Sequence, residues 1–290
     1  METRELLKKV RRIEIKTNRL SQHLFSGEYH SSFKGRGMSF SEVRAYQYGD
    51  DIRSIDWNVT ARLREPYVKV FEEERELSMM IVADISGSGD FGTQGQQRRE
   101  LITEVGATLA FSALQNNDKV GLLLFSDKIE RFIPPQKGRS QVLHIIREML
   151  EHKPESKGTN ISQALEYLNA VLRKSGIVFL LSDFLDDDYE HALRITGRRH
   201  DLVSVRLTDP MESVIPSLGV IPLYDAESGK TQWVDLTSSK ARKRYQNWME
   251  GRTAYFRRSA QAARSGKIEV ILGESYAQKL LQFFKRRNRR

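Results

Sequence analysis

An α/β fold is predicted: a doubly wound, mostly parallel sheet with helices on both faces. Three observations carry this reading. From residue 77 onward, short apolar runs alternate with longer amphipathic stretches, the pattern of strand–helix units. The runs Met79-Met80-Ile81-Val82-Ala83 and Ile177-Val178-Phe179-Leu180-Leu181 are apolar without a break, as strands covered on both faces are. The chain of 290 residues is 39% hydrophobic and 29% charged, which is enough apolar matter for a sizeable core.

Residues 2–26 are expected to be an amphipathic helix, with Leu6, Val10, Ile13, Leu20 and Leu24 at helical spacing and Gly27 as the stop. Residues 27–66 carry no sustained period and are expected to be loops with short turns. Residues 67–71 alternate like a strand. Further strands are expected at 79–85, 119–125, 129–134, 177–181, 202–207 and 268–272. Helices are expected at about 97–115, 139–151, 160–174, 188–199, 238–264 and 275–287. Residues 220–225 and 232–235 read as an added antiparallel hairpin. The chain thus divides into an N-terminal helix-and-loop extension, 1–76, and an α/β domain with C-terminal helices, 77–290. The stripe Leu280, Leu281, Phe283, Phe284 is expected to dock its helix on that domain.

Composition excludes several function classes. The chain has no cysteine, so disulfides, thiolate metal sites and a cysteine nucleophile are ruled out, and a reducing compartment fits. No apolar run approaches the roughly 20 residues of a membrane span. Lys8, Lys9, Arg11 and Arg12 fall where a signal peptide would be apolar, so a cytoplasmic location is expected. Lys+Arg number 47 against 38 Asp+Glu, a net charge of +9, with basic clusters near both ends. Such ends are more simply solvated tails than a nucleic-acid surface.

In an open parallel sheet, ligands bind beyond the carboxyl ends of the strands. Three segments bring oxygen donors to that edge: Asp84-Ile85-Ser86-Gly87-Ser88, Gly158-Thr159-Asn160 and Ser182-Asp183. Hydroxyls with two carboxylates are hard ligands suited to Mg²⁺, with Mn²⁺ and Ca²⁺ as alternatives. Ser86, Ser88 and Thr159 would coordinate directly, and Asp84 and Asp183 would act through water. A metal with few anionic ligands stays electrophilic and would take a carboxylate from a partner protein. Gly87-x-Gly89-x-x-Gly92 imitates a dinucleotide fingerprint, but the loop runs on past the third glycine and no acidic residue ends a second strand at the required distance.

The Asp-x-Ser-x-Ser spacing with a later Thr and Asp resembles the metal-ion-dependent adhesion site of von Willebrand factor A domains. A second likeness lies upstream. The segments Gly35-Arg36-Gly37-Met38-Ser39-Phe40, Tyr48-Gly49-Asp50-Asp51-Ile52-Arg53-Ser54-Ile55-Asp56-Trp57 and Thr60-Ala61-Arg62 resemble the signature of the domain of unknown function 58 family. Phe71-Glu72-Glu73-Glu74-Arg75-Glu76-Leu77 and Asn117-Asp118-Lys119-Val120-Gly121 match it as well. The resemblance implies a bacterial protein with a von Willebrand factor A-like domain, acting beside a MoxR-type AAA+ ATPase as an assembly or chaperone adaptor. Phe184 follows Asp183 where many such domains have glycine, and its bulk is expected to narrow access to the metal.

The leading expectation is therefore a non-enzymatic interaction module. A basic nucleic-acid-binding protein and a metal-dependent hydrolase are the alternatives. Neither brings a motif: no surface aromatics interleave with the basic residues, and none of the six histidines pairs with a serine motif. Asp186-Asp187-Asp188 are expected to favour a helix N-terminus by their charge, with an acidic, cation-attracting rim beside Asp183 as the alternative. Asp50, Asp51, Arg53 and Asp56 are expected to form a turn and ion-pair cluster with Trp57 packed beneath it.

Overall fold

Six buried residues in a row, Ile177–Ser182, mark the centre of the protein. A strand that is apolar on both faces needs a layer of helices on each side. The computed structural model describes residues 10–17, 38–73, 77–90, 92, 97–213, 216, 219–224 and 231–288. They divide into two compact units, one within 33–77 and one formed by the described parts of 1–32 and 78–290.

The larger unit begins with helix α1 over 10–17, tied to it by the pairs Lys16–Glu104 (2.7 Å) and Arg139–Glu14 (2.5 Å). The rest of the helix expected over 2–26 lies outside the described residues. In the smaller unit, strand β1 (Met38–Ala45) pairs antiparallel with β2 (Tyr67–Glu73), and the short helix α2 (Trp57–Leu63) lies between them in sequence. The loop reading of 27–66 is corrected here. The register shifts between Phe40 and Glu42, and this bulge breaks the two-residue alternation that would have revealed β1. Asp56 caps α2 by accepting from the Asn58 and Val59 amides, and Arg44 pairs with Asp50 at 2.7 Å. Trp57, however, is 67% exposed rather than packed beneath the cluster.

The sheet of the larger unit contains β3 (Ser78–Asp84), β4 (Lys119–Phe125), β5 (Ile129–Gln136), β6 (Ile177–Ser182), β7 (Asp201–Thr208) and β10 (Gly266–Ile271) in the order β10-β7-β6-β3-β4-β5. All neighbours are parallel except β4 and β5. The helices are α3 (Arg98–Gln115), α4 (Arg139–Glu151), α5 (Ile161–Val171), α6 (Glu190–Arg199), the short α7 (Pro210–Ser213), α8 (Ser239–Ala262) and α9 (Tyr276–Asn288). Strands β8 (Val220–Tyr224) and β9 (Thr231–Asp235) form the expected hairpin, whose connecting residues lie outside those described. Leu280 and Phe284 of α9 are fully buried, so the C-terminal stripe does dock. No described helix is long and apolar enough to cross a membrane.

Two details of this packing bear on stability. Gly197 of α6 lies so close to the end of α8 that a Cβ there would collide with the Ala263 carbonyl. His200, which ends α6, accepts from the Gly176 amide through Nδ1 (3.3 Å), while its buried Nε2 has no partner among the described residues. Burial, with the nearby Arg199 charge, pushes the His200 pKa down to about 4. The folded protein therefore binds fewer protons than the unfolded chain between the ordinary histidine value and pH 4, and it loses stability as pH falls through that window. The expected loss is at most about 3 kcal/mol. His200→Asn keeps an acceptor near Gly176 without the titration. Thermal unfolding at pH 7 and pH 4.5 should show a smaller acid penalty in the variant, and equal penalties would remove His200 as the cause.

Candidate metal centre

Strands β3 and β6 are parallel neighbours, with Ala83 opposite Leu181, so Asp84 and Ser182 end them side by side. The Ser182 hydroxyl donates to Asp84 Oδ2 at 2.7 Å, and Asp84 Oδ1 accepts from the Ser86 amide at 2.9 Å. Beyond β3 the chain tightens into a 3-10 turn at Gly87–Asp90. This turn places Ser86 Oγ 3.1 Å from Ser88 Oγ, and the Ser88 hydroxyl donates to Asp183 Oδ2 at 2.7 Å. Four of the five residues expected at the centre thus form one continuous hydrogen-bonded chain. The fifth, Thr159, is half-buried in a loop held beside the turn. That loop is fixed by Gly87 N donating to the Lys157 carbonyl (2.9 Å) and Asn160 N donating to the Ser126 carbonyl (2.9 Å).

The oxygen spacing suits a small hard cation. Octahedral Mg²⁺ at about 2.0–2.1 Å sets adjacent ligands about 2.9 Å apart, close to the 3.1 and 2.7 Å separations along this chain of oxygens. Among the described residues no three His, Asp or Glu side chains converge as a ligand group, so hydroxyls must contribute any such centre. Asp84 is fully enclosed. Burial, reinforced by the charge of Asp183, pushes its pKa up to about 7.

Sequence reasoning missed Arg98, the first residue of α3, which is 1% exposed. Its Nη1 donates to Asp183 Oδ2 at 2.6 Å and to the Ser88 carbonyl at 2.9 Å, and its Nη2 pairs with Glu212 of α7. A signal was present. Arg98, Leu101, Val105 and Leu109 share one buried stripe of α3, and a charge in such a stripe requires a buried partner. Arg206 of β7, also buried, donates from Nε to the Asp183 backbone carbonyl at 3.1 Å.

Phe184 does not narrow the centre. Its ring is fully buried, 4.6 Å from Phe256 and 5.7 Å from Tyr189 between centroids. Its backbone sits at φ 56°, a left-handed conformation that favours glycine, and core packing holds the aromatic residue there. The acidic run beyond it does serve a helix N-terminus: Asp186 Oδ2 accepts from the Ile161 amide at the start of α5, a helix that precedes it in sequence. Asp187 pairs with Arg252 of α8.

Residues 42–254 match the family described as protein of unknown function DUF58. The chain belongs to the DUF58 family. Two uncharacterized bacterial proteins are similar to it. Rv1480 of Mycobacterium tuberculosis, an uncharacterized protein, is 29% identical over 223 residues, 76% of this chain and 70% of that protein. YeaD of Bacillus subtilis, also uncharacterized, is 24% identical over 169 residues, 58% of this chain and 40% of that protein. BatB from Bacteroides thetaiotaomicron, at 15% identity, superposes with a TM-score of 0.50 over 74% of this chain and 100% of its own. An aerotolerance-related membrane protein from Bacteroides fragilis gives 0.50 over 73% and 98%, also at 15% identity. These structures share the fold. The DUF58 chain described here has the von Willebrand factor A-like arrangement, a mostly parallel sheet flanked by helices.

Proposed function

We propose that the protein is a non-catalytic interaction module that docks a partner at the carboxyl ends of β3 and β6. Mg²⁺ would be held there by Ser86, Ser88 and Thr159, with Asp84 and Asp183 supplying negative charge, and a partner carboxylate would complete its coordination. The observation that carries this reading is the convergence of Ser86 Oγ, Ser88 Oγ and Asp183 Oδ2 at successive spacings of 3.1 and 2.7 Å. A non-catalytic role is supported by the partners of the hydroxyls. Ser86 and Ser88 bond to each other and to a carboxylate, and among the described residues no imidazole bonds to either hydroxyl to activate it as a nucleophile. The family resemblance makes a MoxR-type AAA+ ATPase the proposed partner, in a cytoplasmic assembly.

The test uses the purified full chain and a paired Asp84→Ala, Ser86→Ala variant, each immobilised and offered bacterial extract with Mg²⁺ or EDTA. Capture of a MoxR-type ATPase should require Mg²⁺ and drop at least tenfold in the variant. EDTA-sensitive capture by a folded variant would remove the assignment.

A further inference from the structure

The charges around the strand-end centre are not those of a bare cation cradle. Asp84, Asp183 and Glu212 bring three carboxylates, and the guanidinium of Arg98 lies directly between the last two. An arginine at 1% exposure is tolerated only when it is paired. Arg98 binds the very oxygen, Asp183 Oδ2, that also accepts from Ser88. Its hold is incomplete, because the buried Nε has no partner among the described residues. Glu212 offers the guanidinium a second anchor away from Asp183, and is itself fixed by accepting from the Asp209 amide at 3.0 Å.

We infer that Arg98 is the resident counter-cation of this centre, competing with a divalent cation for Asp183, so that residue 98 sets how tightly the centre takes metal. The inference rests on the metal-centre reading above and adds a determinant of affinity to it. Two positive charges that share one carboxylate in a poorly solvated site repel each other, so metal gains Asp183 only as Arg98 yields it. Removing the guanidinium charge should tighten metal binding. Removing Glu212's charge should weaken it, because Arg98 then turns fully to Asp183.

The probe is Mn²⁺ alone, titrated into the full-length chain and followed by calorimetry and by the metal-induced shift in melting temperature. Arg98→Met is expected to bind Mn²⁺ at least tenfold more tightly than the unaltered protein, Arg98→Lys about equally, and Glu212→Gln more weakly. Arg98→Met should also show the larger thermal shift on adding metal. If Arg98→Met binds no more tightly while a paired Ser86→Ala, Ser88→Ala change abolishes binding, the metal centre stands and the competition is overturned. If neither the unaltered protein nor Arg98→Met binds Mn²⁺ at millimolar concentration, the metal reading falls and takes this inference with it. Should Arg98→Met fail to fold in EDTA, recovery with Mn²⁺ but not with NaCl of equal ionic strength supports the competition. No recovery, together with unweakened binding by Glu212→Gln, overturns it.

Discussion

Gly197→Ala is expected to destabilise the protein by about 2–3 kcal/mol, although alanine favours a helix over glycine by roughly 1 kcal/mol. Position 197 lies within α6, where propensity alone predicts a gain. The added Cβ would collide with the Ala263 carbonyl oxygen, and that oxygen has little room to retreat. Ala263 N is bonded to the Ser259 carbonyl (3.0 Å) and Ser265 N to the Ala260 carbonyl (2.9 Å), while Arg264 turns at φ 54° into β10. Either helix must shift, and the buried Ala260 and Leu193 beside the contact would lose packing. Urea unfolding of the two proteins measures the difference. A variant as stable as the parent would show that α6 and α8 can slide apart without cost.

Asp84→Asn is expected to act in the opposite direction in metal-free buffer, stabilising the protein by about 1–3 kcal/mol at pH 8. The Asp84 pKa is raised in the folded state, chiefly by burial and then by the Asp183 charge. The folded protein therefore binds more protons than the unfolded chain between about pH 4 and pH 7, and its stability falls as pH rises through that window. Asparagine keeps an acceptor for the Ser86 amide and removes the charge. Its advantage should be absent near pH 4 and full above pH 7. With saturating Mg²⁺ the proposed centre reverses the order, since only the carboxylate rewards the cation. Paired melts at pH 4, 6 and 8, with and without Mg²⁺, resolve both effects. An advantage that does not grow with pH would mean that Asp84 is better solvated than its burial implies.

Much of the sheet could be read in advance because its signals are local. The unbroken apolar runs of β3 and β6 reflect burial on both faces, and polar residues fall only at the ends of these strands. Helices α4 and α9 kept a clear apolar stripe for the same reason. Where the reading failed or stayed incomplete, the deciding contact was distant or the period was interrupted. The bulge between Phe40 and Glu42 hid β1. The partner of Asp186 is the Ile161 amide 25 residues earlier in sequence, which no local capping rule reveals. The candidate centre was legible as a set of oxygen donors, because turns after adjacent parallel strands must meet. Its charge balance was not, because Arg98 lies 85 residues from Asp183 and 114 from Glu212 in sequence. Only its position in the buried stripe of α3 could have raised the question.

The aromatic ring that follows Asp183 has a kinetic consequence. With Phe184 wedged between Phe256 and Tyr189, and Leu185 N bonded to Asp183 Oδ1 at 3.1 Å, the carboxylate-bearing loop is set before any partner arrives. Docking of the proposed partner on such a surface would be close to rigid-body, so encounter rates should vary little among related partners. Discrimination would then reside in how long each complex survives.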